Sequence, residues 1–213
     1  MHILSPVSAS WCGWMMFLLL LCAVLAEMAQ PGIIKQAYTS LEVHKERTYK
    51  ESPDTFLGQL FISLFRVGTV SMALCLCFCA ENRFTLTAFG IVTGLVMAVV
   101  LTKMVCNVVL DYTFALSRRF GKAYEHYGNI ATLASVVLYP VVLTMMRIGS
   151  VQATYWSVGI VAGLFALVWL YRTLRMYTVS LMAGVYVLMY FCTMELLPMA
   201  GLAYVSAKTL TNI

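Results

Sequence analysis

The sequence predicts an all-α polytopic membrane protein, a bundle of six transmembrane helices with an amphipathic helix in the linker after the first. Three observations predict it. Of 213 residues, 62% are hydrophobic and 11% charged, where soluble domains run near half apolar and a quarter charged. The 14 Lys and Arg and the 9 Asp and Glu cluster in a few short stretches, too few to clothe a soluble surface. Between those stretches lie six apolar runs, each near the roughly 20 residues that carry a helix across a hydrocarbon core of about 30 Å.

The first run extends from Trp11 to Ala29. Val24-Leu25-Ala26 resembles a signal-peptidase site, but no Lys or Arg precedes Trp11; a secretory signal needs that positive segment, so the run is expected to stay as a span. The linker Gln30 to Thr55 has 26 residues, too few to bury a core of its own. Pro31 stands where a helix begins, Ile33, Ile34, Ala37, Tyr38 and Leu41 share one helical face, and Pro53 ends the stretch. Glu42 with Lys45 and Glu46 with Lys50 add charge pairs at helical spacing. This pattern suits an interfacial helix on the leaflet surface, or else a solvated, partly helical loop. The second span runs from Phe56 to Ala80, the third from Phe84 to Leu110, the fourth from Ile130 to Met146, the fifth from Val151 to Leu170 and the sixth from Val179 to Val205, with polar breaks between them.

Charge sets the orientation. Lys35, Lys45, Arg47, Lys50, Arg118, Arg119, Lys122, Arg172 and Arg175 fall on one side, nine in all, and only Arg83, Arg147 and Lys208 on the other. Short cytoplasmic loops carry the Lys and Arg excess, so both termini are expected outside. The net charge of +5 follows from the same asymmetry. Dispersed over three loops, it points to anionic lipid headgroups and not to nucleic acid.

Two spans carry small-residue spacing that lets helices approach closely: Gly90 with Gly94, continuing to Ala98, and Gly159 with Gly163. Both segments read Gly-Ile-Val-x-Gly-Leu, as a trace of duplication or by chance in Val/Gly-rich helices. The spacing serves packing within the bundle or association with a second copy.

Ionisable groups at membrane depth cost roughly 2.5 to 3.5 kcal/mol each, so each needs a partner, a route to the interface or a function. Arg66 lies midway along the second span. Glu195 lies inside the sixth, three residues before Pro198. Counted from the outer ends they are about 22 Å and 18 Å deep at about 1.5 Å per residue, close enough to form an ion pair that either fixes helix register or serves transport. Lys103, Asn107 and Asp111 recur every four residues at the end of the third span, a stripe that snorkelling explains or that a polar vestibule would extend. Pro140 in the fourth span and Pro198 in the sixth are expected helix breaks, a feature of transporter sites and of ordinary membrane helices alike.

No cofactor or metal is expected. The seven cysteines all fall in spans, no Cys-x-x-Cys occurs, and Cys75, Cys77 and Cys79 alternate along one helix, a spacing that suits neither zinc nor a redox pair. His2, His44 and His126 fall outside the spans, away from any intramembrane haem. Hydrolase and nucleotide-binding motifs are missing too.

The segments Tyr171-Arg-Thr-Leu-Arg175 and Tyr190-Phe-Cys-Thr-Met-Glu195-Leu-Leu-Pro198 resemble a family of Bacteroidota inner-membrane proteins known as a domain of unknown function. Its last helix reads approximately Tyr-Leu-Cys-x-x-Glu-Ile/Leu-Leu-Pro, often followed by Lys, here Lys208; Phe191 departs from the usual Leu. The resemblance implies that Glu195 and Pro198 belong to a recurrent motif. It carries no activity with it. The expected role is a non-catalytic accessory or scaffold component of a cell-envelope assembly, acting through helix packing with itself or other membrane proteins; the alternative is a small-solute or ion transporter built around Arg66 and Glu195.

Overall fold

A computed structural model describes residues 10–39, 56–78, 85–114 and 117–177, with Gly201, Tyr204, Val205 and Lys208; of Ser10, Gln36, Thr39, Val151, 106–127 and 172–177 it describes the backbone alone. The elements are α1 (Ser10–Ala29), α2 (Ile33–Thr39), α3 (Phe56–Phe78), α4 (Leu86–Phe114), α5 (Ser117–Ile148) and α6 (Val151–Tyr177). Backbone groups in lipid have no water to bond to, so helices are the form in which these apolar runs can satisfy them. Five windows are long and apolar enough to span: Trp11–Ala29, Phe56–Phe78, Leu86–Val105, Gly128–Ile148 and Gln152–Tyr171. These correspond to the first five expected spans. The sixth, 179–205, lies outside the described residues except for Gly201, Tyr204 and Val205, which are helical and exposed.

Helix α3 is the axis of the bundle and packs against α1, α4, α5 and α6. In its window 56% of residues are buried, against 22% for α4 and 6% for α6, so the bundle is built around it. Ile62, Met72 and Cys75 of α3 are fully enclosed, with Val92 of α4 and Val142 of α5. Among the described glycines, the closest approach of a neighbouring helix is at Gly68, where α1 meets α3. A Cβ added at Gly68 would overlap the Cδ2 methyl of Leu19, so the absence of a side chain there lets Leu19 lie directly on the α3 backbone. Tyr139 of α5 then ties the pair together: its hydroxyl donates to the Met16 carbonyl of α1 at 3.0 Å, and its ring lies 5.9 Å from that of Phe65 on α3. Hydroxyls inside the bundle are satisfied on their own helices, Thr69 on the Phe65 carbonyl at 2.8 Å and Thr132 on the Gly128 carbonyl at 2.9 Å.

Ring pairs mark which helix ends meet. Trp11 lies 6.2 Å from Phe89, joining the starts of α1 and α4; Phe78 lies 5.7 Å from Tyr155, joining the end of α3 to the start of α6. A chain that crosses back and forth requires that arrangement. The α5–α6 turn needs two residues. Gly149 adopts φ 68° and donates to the Met145 carbonyl at 3.0 Å, closing α5. Ser150 then opens α6, its Oγ accepting from Ala153 N–H at 3.4 Å.

Three expectations are revised. The polar stretch Asp111 to Asn129, read as a loop, is helical on both sides of 115–116: α4 and α5 run on past their apolar windows. Helix α5 has 32 residues, about 48 Å at about 1.5 Å per residue, of which the window takes 21. Nothing in Arg118 to Glu125 opposes a helix strongly except Gly121. Pro140 does not break its helix, because α5 passes through it to Ile148; losing one backbone bond is tolerable where the neighbouring turns and packed helices hold the geometry. The linker helix starts at Ile33, not at Pro31, and its described part ends at Thr39. Ile33 and Ala37 are buried there, but Tyr38 is 59% exposed and stands off their face.

Replacing Tyr139 by Phe is expected to lower stability by about 0.6 to 1.7 kcal/mol, the range of interhelical hydrogen bonds in membranes, measured by unfolding the detergent-solubilised protein. Gly68→Val is expected to be more damaging than Gly90→Val, which adds its methyls in open space.

Candidate functional site

Of the intramembrane polar residues, Arg66 is the one placed between two described helices. It lies on α3 ten residues after Phe56, about 15 Å along the helix at about 1.5 Å per residue. Side chains on a helix lean toward its N-terminus, and in α3 that is the end from which the linker enters. Arg66 follows the rule: a Cβ on Gly128 would be 3.7 Å from its Nη1, and Gly128 is the first residue of the apolar window of α5. The guanidinium therefore reaches back to the boundary where α5 turns from polar to apolar. Its Nε is buried, while the residue as a whole is half-buried. A charge midway along the span by sequence is in this way carried toward the interface by its own stem. Glu195, its expected partner, and Pro198 lie outside the described residues, so the structure leaves that ion pair undescribed.

Helix α4 is continuous through Lys103, Asn107 and Asp111, which keeps the three on one stripe. Lys103 is half-buried; the side chains of Asn107 and Asp111 lie outside the described set. The glycine pairs face outward. Gly90, Gly94, Gly159 and Gly163 are all exposed, and a Cβ at any of them would meet nothing within 4 Å, so among the described residues they do not serve packing inside the bundle. Cys12, Cys22, Cys75 and Cys77 are buried as small apolar fillers.

The sequence reading did not find the residues that bring helices together. Gly68 lacks a small partner four residues away, and its role depends on Leu19, 49 positions earlier (68 − 19). Gly128 looks like the end of a polar stretch. Glu27 falls in no motif, and its carboxylate accepts from the N–H groups of Gly32 at 2.7 Å and Ile34 at 3.3 Å. A Glu just before Pro-Gly and a second apolar helix is the signal that could have shown it: acceptors belong beside the open N–H groups of a helix start.

Five described helices long and apolar enough to span a membrane, four of them packed on the central α3, with polar extensions at one end, define a polytopic α-helical integral membrane protein. Within that class the chain belongs to the family described as Domain of unknown function (DUF4271), which matches residues 13–205. No curated protein and no solved structure matches it.

Because a Cβ at position 128 meets the guanidinium at ordinary contact distance, Gly128→Ala should be tolerated. Gly128→Leu should displace Arg66 and cost about 1 to 3 kcal/mol, as overpacking does, with Arg66→Gln removing most of that extra cost in the double variant. Unfolding of the four proteins in detergent measures both.

Proposed function

We propose that this protein is a non-catalytic membrane component that works by helix packing, as an accessory or scaffold subunit of an envelope assembly in a bacterial cytoplasmic membrane. The observation that supports it is the outer surface of α4 and α6, which is exposed among the described residues. On α6, Trp156, Ile160, Leu164, Leu167 and Tyr171 are each more than half exposed and recur at helical spacing with Gly159 and Gly163. Lipid covers leucine and tryptophan well enough. Glycine is different, since it costs a helix about 1 kcal/mol relative to Ala and no described neighbour uses the space it leaves. A second helix laid against either pair would use it. The nine-to-three division of Lys and Arg supports an orientation with both termini outside.

A second reading, a small-solute or ion transporter, is favoured by one observation, the Arg66 guanidinium held between α3 and α5 beside Gly128. The two are separated by what each variant loses. Under the packing reading, the protein extracted in mild detergent runs as a complex with itself or a partner, by native mass spectrometry, and Gly94→Leu or Gly163→Leu releases it while the released chain stays folded. A monomer unaffected by either change would contradict the packing reading. Under the transport reading, Glu195→Gln abolishes an ion-dependent flux in proteoliposomes and the glycine variants do not.

A further inference from the structure

At the end of α5 an open groove of about 400 Å³ is lined by Leu143, Thr144, Arg147 and Ile148. Spaced at i, i+1, i+4 and i+5, the four make one patch on the helix surface, and all are exposed. Apart from Arg147 the lining is apolar, because the Thr144 hydroxyl donates to the Val141 carbonyl at 2.9 Å and so turns its polar end onto the backbone. Among the described residues no hydrogen bond or ion pair holds the Arg147 guanidinium. The groove lies at the edge of the hydrocarbon. The apolar window Gly128–Ile148 ends there, and Tyr155 and Trp156, exposed near the start of the next helix, are residue types that settle at headgroup depth. A helical side chain leans toward the N-terminus of its helix. That lean carries Arg66 out toward an interface; in α5 it carries Arg147 from the boundary back over Leu143, into the leaflet, where a cation needs an anion at its own depth.

We infer that this groove holds one anionic phospholipid, with the Arg147 guanidinium on its phosphate and Leu143 and Ile148 along an acyl chain. A guanidinium matches a phosphate with two parallel N–H bonds. Charge selects the headgroup: phosphatidylglycerol presents its phosphate without an ammonium of its own, whereas phosphatidylcholine carries one that competes with Arg147. The bias of Lys and Arg toward cytoplasmic loops does not account for this residue, which falls with Arg83 and Lys208 on the sparse side. A cation in a last turn also steadies the helix dipole, but that role needs the charge and not the recess. The site stands independently of the packing reading, since it uses α5 and not the outer faces of α4 and α6.

The joint need for a charge and a recess gives the test. Full-length protein is placed in nanodiscs of mixed phosphatidylcholine and phosphatidylglycerol, and the lipid retained after release is counted by native mass spectrometry. Arg147→Gln is expected to lower retained phosphatidylglycerol about fivefold, the effect of one cation near an anionic surface, and to leave phosphatidylcholine unaltered. Leu143→Trp fills the groove with no change of charge and is expected to give a similar loss; attraction by charge alone predicts none. Leu101→Trp, on an exposed leucine of α4, is expected to retain the lipid in full. Phosphatidylglycerol unchanged in Arg147→Gln or in Leu143→Trp, a loss in Leu101→Trp as large as in Leu143→Trp, or an equal loss of phosphatidylcholine overturns the inference. If Arg147→Gln fails to fold, Leu143→Trp against Leu101→Trp decides it alone.

Discussion

Lipid tails are as apolar as the side chains they surround, so helices in a bilayer gain little from hiding leucine and must associate by closeness of fit. Among the described glycines, the closest fit is Leu19 of α1 over Gly68 of α3. Other contacts follow from it. With α1 drawn onto α3, the Met16 carbonyl is presented toward α5, where Tyr139 reaches it while its ring rests on Phe65. Helix α5 is thus positioned by both members of the α1–α3 pair. The Glu27 corner sends α2 onto α5, and Gly128 of α5 comes to face Arg66 of α3.

The few charges are disposed by the same geometry. A guanidinium halfway along a span appears, by counting residues, to be stranded in hydrocarbon. Leaning toward the α3 N-terminus, it reaches the level at which α5 changes from polar to apolar, where the environment is far more tolerant of charge. Glu27 is handled differently, bonded to open backbone N–H groups at a helix start instead of to a cation.

Much of the architecture was legible in the sequence, because a spanning helix is specified by a local property, the length of an apolar run, and the five described windows coincide with runs read directly from composition. The α5–α6 turn falls in the gap between the expected span ends Met146 and Val151, where Gly149 closes one helix and Ser150 opens the next. Helix extents beyond the membrane were not legible, because hydropathy marks where lipid ends and not where the hydrogen-bond ladder does; Asp111 to Asn129 is polar and helical at once. Packing was least legible. Gly90, Gly94, Gly159 and Gly163 carry the familiar spacing yet face away from the described bundle. Gly68 carries no spacing at all and makes the closest contact, because its value depends on a leucine far away in the chain. Tyr139 and Gly128 are cases of the same kind, their partners lying on other helices and not along their own.

The central claim, that the bundle is assembled on the fit of Leu19 over Gly68, is tested most directly by a double-mutant cycle of Gly68→Ala and Leu19→Ala, followed by reversible unfolding in detergent or bicelles. The methyl added in Gly68→Ala collides with Leu19 and should cost about 1 to 3 kcal/mol. In the Leu19→Ala background the collision is gone, and the same change should cost close to nothing, a coupling of about 1 kcal/mol or more. Additive effects, with Gly68→Ala equally costly whether or not Leu19 is present, would contradict the account.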